Sequence, residues 1–492
     1  MITVVLNNVN CRLVGIDQQL NEQLYDYWSF DVPGAHFARR KYRQWDGKKH
    51  FYKPGWKTSP SGLLPYILQF FAERGIPVTI QDERNKFPLH WREIDLASVA
   101  DLRPHQKEAI EYLRQSSCAG LEWPRGILHH TTAAGKTELA AGVIQSLQER
   151  ALFLVDRRSL LRQTKRRFEE ALQQTVGWIG DNEFQLEEVT VATFQTLLAR
   201  LDSKKSSRAM QKLVRDYLAT VRLLFIDECH RSRSKLFGKV LSKVDAYVRV
   251  GLSATILEEE IDDIYDWTLI GHTGGKLHAV SSKRGWEEEW LARPLVHPVL
   301  IQEPQLPSKM KADEVYELGI VTNSLRNEWF VQKALECEAK KELALILVHQ
   351  ITPISHGELF QDMLEFEGLP QVPFIYGQTP LVKREKLVEQ FLKRQFHVMI
   401  ASSVFNEGID IPELQHILNA TGTGSWKTAK QQAGRGMRKK YESENRLDLW
   451  DCLDTGHKKL RDASIARFTT YQRENFPFAA TIIPEGRILC AS

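Results

Sequence analysis

Short apolar runs recur along this chain, each followed by a longer stretch whose apolar residues fall three or four apart. That alternation is the signature of buried strands and half-buried helices in an α/β protein. Runs at 126–129, 151–155, 189–193, 222–227 and 248–252 read as strands of one parallel sheet. A second series reads at 343–348, 372–376, 397–401, 415–418 and 449–453. Ahead of both, a helical stripe over 64–73 and a strand over 77–80 predict a small α+β segment. Asp46-Gly47 predicts a tight turn between two short strands. The polar stretch 202–208 reads as an exposed loop, and 271–294 as the end of the first series and a linker. Two sheets of this kind predict a cleft between domains, the natural place for a ligand that controls closure.

Residues 129–138 read His-His-Thr-Thr-Ala-Ala-Gly-Lys-Thr-Glu, between an apolar run and a helical pattern. A strand, a tight loop ending Gly-Lys-Thr and a helix build a triphosphate cradle. In that cradle the loop backbone from Thr132 through Ala133, Ala134 and Gly135 faces the phosphates. Lys136 reaches the terminal ones, and the Thr137 hydroxyl holds magnesium. His130 stands where the usual pattern has a glycine. Downstream, Leu223-Leu224-Phe225-Ile226 is followed by Asp227-Glu228-Cys229-His230. Two carboxylates at the C-terminal end of a buried parallel strand lie where open α/β sheets bind ligands. Asp227 would hold magnesium through a water, and Glu228 would orient the attacking water.

Asp-Glu-Cys-His resembles a DEAH/DECH box, and the chain is similar to the superfamily 2 helicases and translocases. Gly251-Leu252-Ser253-Ala254-Thr255 is similar to the family's Ser-Ala-Thr motif, which links ATP state to domain movement. Arg103-Pro104-His105-Gln106 resembles the adenine-reading segment of the XPB and UvsW branch, implying nucleotide contacts from Arg103 and Gln106. Asn406-Glu407-Gly408-Ile409-Asp410 resembles motif V, implying Gly408 and Asp410 at the nucleotide. Gln431-Gln432-Ala433-Gly434-Arg435-Gly436-Met437-Arg438 resembles motif VI. It implies Gln431 at the nucleotide and Arg435 and Arg438 as catalytic arginine fingers beside Glu228. The departures are His130 and Gln432, the latter standing where many members carry arginine.

The resemblance implies an α/β chain with two tandem RecA-like domains, at 98–300 and 301–492, behind a small N-terminal α+β domain at 1–97. It implies an ATP- and magnesium-dependent DNA helicase or translocase that remodels forked or branched DNA in recombination, repair or replication. Its partners would be a single-stranded track and a duplex or junction, with nuclease or recombination proteins as further candidates. Three other readings share the core. RNA would be the track of an RNA helicase. A motor subunit of a restriction system would need a nuclease partner. A non-motor clamp would bind DNA and switch with ATP, although Lys136, Asp227, Glu228, Arg435 and Arg438 all speak for turnover.

Composition changes this picture little. Hydrophobic content of 42% and charged content of 26% are ordinary for a globular chain of two or three domains. The six cysteines are scattered singly, which argues against zinc and a disulfide framework and for a reducing cytosol, bacterial or phage-infected. No apolar run approaches a membrane span, no secretory signal is expected, and a monomer is expected.

The net charge of +4 matters less than its distribution. From Arg39 to Lys57 there are eight Lys/Arg and a single acid, interleaved with Tyr42, Trp45, Phe51, Tyr52 and Trp56. Cations hold phosphates and aromatics offer faces to bases, so Arg39, Arg40, Lys48 and Lys49 are candidate nucleic-acid contacts. A small β domain with an aromatic core and a solvated lysine face fits this composition equally well. Residues 42–49 and Ser61-Gly62-Leu63-Leu64-Pro65-Tyr66 resemble the N-terminal domain of UvsW-like helicases, which favours nucleic acid. Arg157 and Arg158 resemble a strand-contacting motif after the strand at 151–155, and the Thr193 hydroxyl is placed to reach a phosphate. Cys229 reads as a packing residue and not as a thiol nucleophile.

Overall fold

The computed structural model describes residues 1–489 apart from 33–34, 36–44, 98–100, 157, 182, 203–204, 230–234, 255–263, 350–354, 403–410, 425–433, 435 and 485–486, and describes no side chain at 158–159, 235–236, 265, 381 or 487–489. The chain forms two compact units, Met1–His130 with Gly135–Val280, and Ser281–Ser492 with Thr131–Ala134. Among the described residues no helix is long and apolar enough to cross a membrane.

The first unit opens with a four-stranded sheet in the order Thr58–Pro60, Asn10–Val14, Ile2–Leu6, Val78–Asp82. Residues along Ile2–Leu6 alternate between buried and half-buried, as expected for a sheet packed on one face. Helix Leu64–Ala72 supplies Leu64, Ile67, Phe70 and Phe71 to the core. The turn at Asp46-Gly47 is present, with the Asp46 carboxylate accepting from the Lys48 N–H at 2.9 Å and Gly47 at φ +84. The strand after it, Lys48–His50, pairs with Ser29–Asp31, and residues 36–44 before it lie outside the described residues.

An eight-stranded sheet follows, in the order Glu183–Gln185, Gly177–Gly180, Val189–Thr193, Ala151–Val155, Leu223–Ile226, Val248–Ser253, Arg125–His130, Lys276–Val280. All its pairings are parallel except that of the edge strand Glu183–Gln185. Every residue of Ala151–Val155 and Leu223–Ile226 is buried, which is why these strands read as unbroken apolar runs. The stretch read as a linker instead holds the edge strand Lys276–Val280 and helix Ser282–Glu287.

Two buried arginines tie the N-terminal sheet to the parallel one. Arg125, the first residue of its strand, donates to Ser61 Oγ at 2.6 Å and to the Asn8 carbonyl at 2.9 Å. Arg249, on the neighbouring strand, donates to the carbonyls of Asn8, Val244 and Leu241 at 3.0–3.3 Å. Burial pushes both guanidinium pKa values down, that of Arg249 to about 10. Above them the Ser61–Leu63 turn sits directly on helix Ile264–Thr273. From that helix Trp267 packs edge-on against Trp28 and Tyr66, with centroids 5.1 and 5.0 Å apart. Such ring pairs contribute about 0.5–1.5 kcal/mol each beyond their buried area.

The second unit holds another eight-stranded sheet, in the order Phe374–Ile375, Val398–Ala401, Ala344–Leu347, His416–Asn419, Arg446–Asp454, Arg293–Ile301, Thr481–Ile483, Arg487–Leu489. Its pairings are parallel apart from the last. Buried ion pairs, Arg467–Asp451 and Arg326–Asp454, both at 3.0 Å, lie beside it. Arg326 also donates to the Ala420 carbonyl and Arg467 to that of Thr423, so both hold the chain as it leaves strand His416–Asn419.

Candidate nucleotide site

The site is assembled at one edge of the first parallel sheet. Strands Val189–Thr193, Ala151–Val155, Leu223–Ile226, Val248–Ser253 and Arg125–His130 are consecutive neighbours, and all end on that side. Their C-terminal ends bring together Thr193, Asp156, Asp227-Glu228, Ser253-Ala254 and His129-His130. Ser253 is in register with His129, whose Nε2 donates to the Ala254 carbonyl at 3.2 Å. The Asp227 N–H donates to the Leu154 carbonyl at 2.9 Å, extending the ladder to the first carboxylate.

The loop turns twice through left-handed backbone, at Ala133 (φ +64) and Gly135 (φ +74), before helix Lys136–Leu147 begins. A non-glycine residue there is strained by about 1–2 kcal/mol, strain that recurs at ligand-holding loops. At Gly135 a Cβ would lie 2.3 Å from Gln106 Nε2, so a side chain there would displace the Gln106 amide. Gln106 donates to the Gly135 carbonyl at 2.8 Å, and its amide oxygen accepts from the Arg103 N–H at 2.8 Å. The 103–106 segment is thereby tied to the loop through one side chain. Lys136 folds back across the loop, its ammonium donating to the His130 carbonyl at 3.2 Å. Thr132, Thr137, Asp227 and Glu228 are all half-buried, and Glu228 is itself held at φ +44. A helix N-terminus, a lysine, a hydroxyl and two hard carboxylates are the donor set that a hydrated magnesium–triphosphate takes.

Cys229 is buried directly after the two carboxylates, and burial first, then the charges of Glu228 and Asp227, push its thiol pKa well up. The thiol is not a nucleophile; its Sγ fills the space beside Gly251, where a Cβ would come within 3.0 Å.

The departure at His130 also has a local cause. Its backbone carbonyl serves Lys136, while its ring turns into the protein and shares a 2.9 Å hydrogen bond with His278. Burial, then His278 and Lys136, lower its pKa to about 2. The unfolded chain protonates this ring below about pH 6.5 and the folded chain does not. Stability should therefore fall as pH drops from about 6.5 towards 2, by about 1.4 kcal/mol per pH unit from this one group. Denaturant melts of wild type and His130→Gln, compared at pH 7 and 5, check this: a shared pH dependence would contradict it.

Other expected residues are placed differently. Thr193 is buried and its hydroxyl donates to Thr196 at 2.8 Å, so it is turned inward and not offered to a phosphate. Phe51 and Tyr52 are core residues, while Trp56 is 77% exposed. Lys48 is exposed; Lys49 is half-buried, with its ammonium against Thr268 Oγ1. In the second unit Arg438 is half-buried, and its backbone bridges to Leu291 just before strand Arg293–Ile301. Arg39, Arg40, Arg157, Gly408, Asp410, Gln431 and Arg435 lie outside the described residues, as does the side chain of Arg158. Sequence reasoning missed Ser61, Arg125 and Arg249. The available signal was an arginine at the first or second position of each of two largely apolar strands.

Comparison with known proteins agrees with this geometry. Residues 100–258 match the family described as type III restriction enzyme, res subunit, and residues 327–440 match the helicase conserved C-terminal domain. The ATP-dependent DNA helicase uvsW of Enterobacteria phage T4 is 23% identical over 474 residues, covering 92% of this chain and 90% of its own length. The chain belongs to the superfamily 2 helicases. By class it is an ATP-hydrolysing enzyme. A putative DNA 3'-5' helicase Rad25 of Halobacterium salinarum is 27% identical over 386 residues, covering 74% of this chain but only 56% of the relative. In fold, this helicase superimposes on a fragment of a putative HsdR subunit of a type I restriction enzyme from Vibrio vulnificus. The TM-score is 0.57 at 16% identity, over 90% of this chain and 77% of that one.

Proposed function

We propose that this helicase is a DNA translocase that remodels forked or branched DNA. The observation that carries the ATPase part is that the Lys136 loop leaves strand Arg125–His130, and Asp227-Glu228 leave strand Leu223–Ile226, at the same C-terminal edge of the parallel sheet. DNA as the track is supported by the relatives named DNA helicases, and branch remodelling is what the resemblance of the motifs to UvsW-like helicases implies.

The backbone of Thr132, Ala133, Ala134 and Gly135 and the start of helix Lys136–Leu147 bind the phosphates, and Lys136 neutralises the terminal ones. Thr137 and Asp227 hold magnesium, which when bound offsets the phosphate charge. Glu228 orients the attacking water. Arg103 and Gln106 fix the loop and read the base; Gly408, Asp410 and Gln431 line the nucleotide. Arg435 and Arg438 complete the site from the second domain on closure, so turnover reports domain movement. Arg157 and Arg158 hold the strand, and the N-terminal domain holds duplex or junction through Arg39, Arg40, Lys48 and Lys49.

Glu228→Gln keeps the side chain's size and removes the charge that orients water. Turnover should fall at least about 100-fold while ATP and magnesium still bind, giving a long-lived strand-bound state. Nucleotide titration with a fluorescent analogue checks this. Loss of nucleotide binding as complete as the loss of turnover would make Glu228 structural or metal-binding. The whole reading is tested by ATPase stimulation across single-stranded, duplex, forked, four-way and RNA substrates, with forks or four-way junctions expected to stimulate most. The restriction-motor reading is favoured by the name of the family matched at residues 100–258, although that match covers the motor and no nuclease.

A further inference from the structure

A cavity of about 400 Å³ that the nucleotide site does not use lies between the N-terminal segment and helix Ile264–Thr273. Its lining includes Lys49, His50, Lys53, Thr58, Thr268 and His272, and no carboxylate among the described residues. The Asp46 carboxylate meets His50 Nε2 at 2.8 Å. Lys49 is held there through Thr268.

The rim of this cavity is a tight hairpin. Lys53 and Thr58 exchange both backbone hydrogen bonds, at 2.8 and 3.3 Å, and the Trp56 N–H donates to the Lys53 carbonyl at 3.2 Å. Lys57 is fixed in left-handed backbone (φ +52), with its ammonium donating to the Ile16 carbonyl at 3.0 Å. The turn is therefore ordered, yet it leaves Trp56 77% exposed. A protein of this composition has apolar places for an indole, as Trp28 shows at 1% exposure. An ordered turn that offers a flat aromatic face to solvent, with the exposed Lys53 at its base, has the two parts of a nucleotide contact: a phosphate seat and a stacking face.

We propose that the Lys53–Thr58 hairpin forms a one-nucleotide contact for a nucleic-acid strand, with a backbone phosphate at Lys53 and an unpaired base on Trp56. This rests on the reading of the chain as a DNA translocase and adds to it a place where the N-terminal domain grips an unpaired base. A stacking face is sequence-tolerant, since every base has one.

The test is equilibrium binding of a labelled single-stranded oligonucleotide and a labelled fork to the full chain, as wild type, Trp56→Ala, Trp56→Phe and Lys53→Ala. Trp56→Ala should weaken single-strand binding by roughly five-fold or more, the lower end of what one stacked base contributes. Trp56→Phe should recover most of that loss, which a change of fold would not do. Lys53→Ala should reduce the magnitude of the log–log salt slope on single strands by about 0.7. Binding of a fluorescent ATP analogue should be unchanged in all three. Wild-type affinity in Trp56→Ala, with wild type binding DNA normally, overturns the contact and leaves the translocase reading standing. Wild type that binds no DNA overturns both.

Discussion

Lys136→Ala should abolish ATP turnover, lowering it at least about 100-fold, the size of effect seen when one charge-stabilising group is removed from a phosphoryl-transfer site. The ammonium is half-buried and bridges the loop to the His130 carbonyl. Losing that one hydrogen bond should cost only about 0.5–1.5 kcal/mol of stability. DNA affinity should stay within a few-fold of wild type, because the strand contacts proposed here lie on other elements. The pairing of lost turnover with retained fold and retained DNA binding is what a phosphate-binding lysine predicts. A steady-state assay near wild type would remove the assignment of the loop.

Gly62→Ala should be the most damaging small substitution in the N-terminal domain. A Cβ at this position would lie 2.0 Å from the Ile270 carbonyl oxygen and 2.8 Å from that of Gly271. Both belong to the backbone of helix Ile264–Thr273 and cannot swing aside as a side chain would. The turn would have to lift off, carrying Ser61 away from Arg125 and leaving a buried guanidinium short of an acceptor. Overpacking of about 1–3 kcal/mol and a similar penalty for the unsatisfied polar groups put the loss at roughly 2–6 kcal/mol. Gly55→Ala is the control, since nothing lies within 4 Å of a Cβ there. Chemical denaturation together with limited proteolysis should show early release of the N-terminal segment in Gly62→Ala alone. Equal stability of the two variants would contradict the packing account.

The motif Ser61-Gly62-Leu63 shows where sequence reading and structure part. It resembles a feature of nucleic-acid motors, yet its glycine and serine serve docking: one lets two backbones touch and the other receives Arg125. The central strands were legible because burial on both faces demands unbroken apolar runs, as in Leu223–Ile226. The edge strand Lys276–Val280 was not, because it is mostly half-buried or exposed and carries polar residues. Strand Arg293–Ile301 hid behind Pro294 and Pro298, which count against a strand in sequence. They are tolerated because its full-length ladder runs on one side only, against Arg446–Asp454, with a single pairing to Thr481–Ile483 on the other.

Site chemistry divides in the same way. The Gly-Lys-Thr loop and Asp227-Glu228 are contiguous in sequence, and the topology of parallel strands places contiguous strand ends on one edge. What no linear pattern carries is the direction of a side chain. Thr193 stands at the right strand end but turns its hydroxyl to Thr196. Phe51 and Trp56 share one basic, aromatic stretch, yet one is core and the other exposed. Gln106 reads as a base contact and is found holding Gly135, a tie that only the folded loop reveals.

ATP hydrolysis at this sheet edge should be coupled to movement on DNA. ATP turnover by the wild-type chain, alone and with single-stranded, duplex, forked and four-way DNA or RNA, alongside unwinding of the same labelled forks, tests that coupling. Turnover should be slow alone, strongly stimulated by DNA with forks or junctions highest, and little stimulated by RNA, and fork unwinding should require hydrolysable ATP. Turnover that no nucleic acid changes, or stimulation by RNA above every DNA, would contradict it.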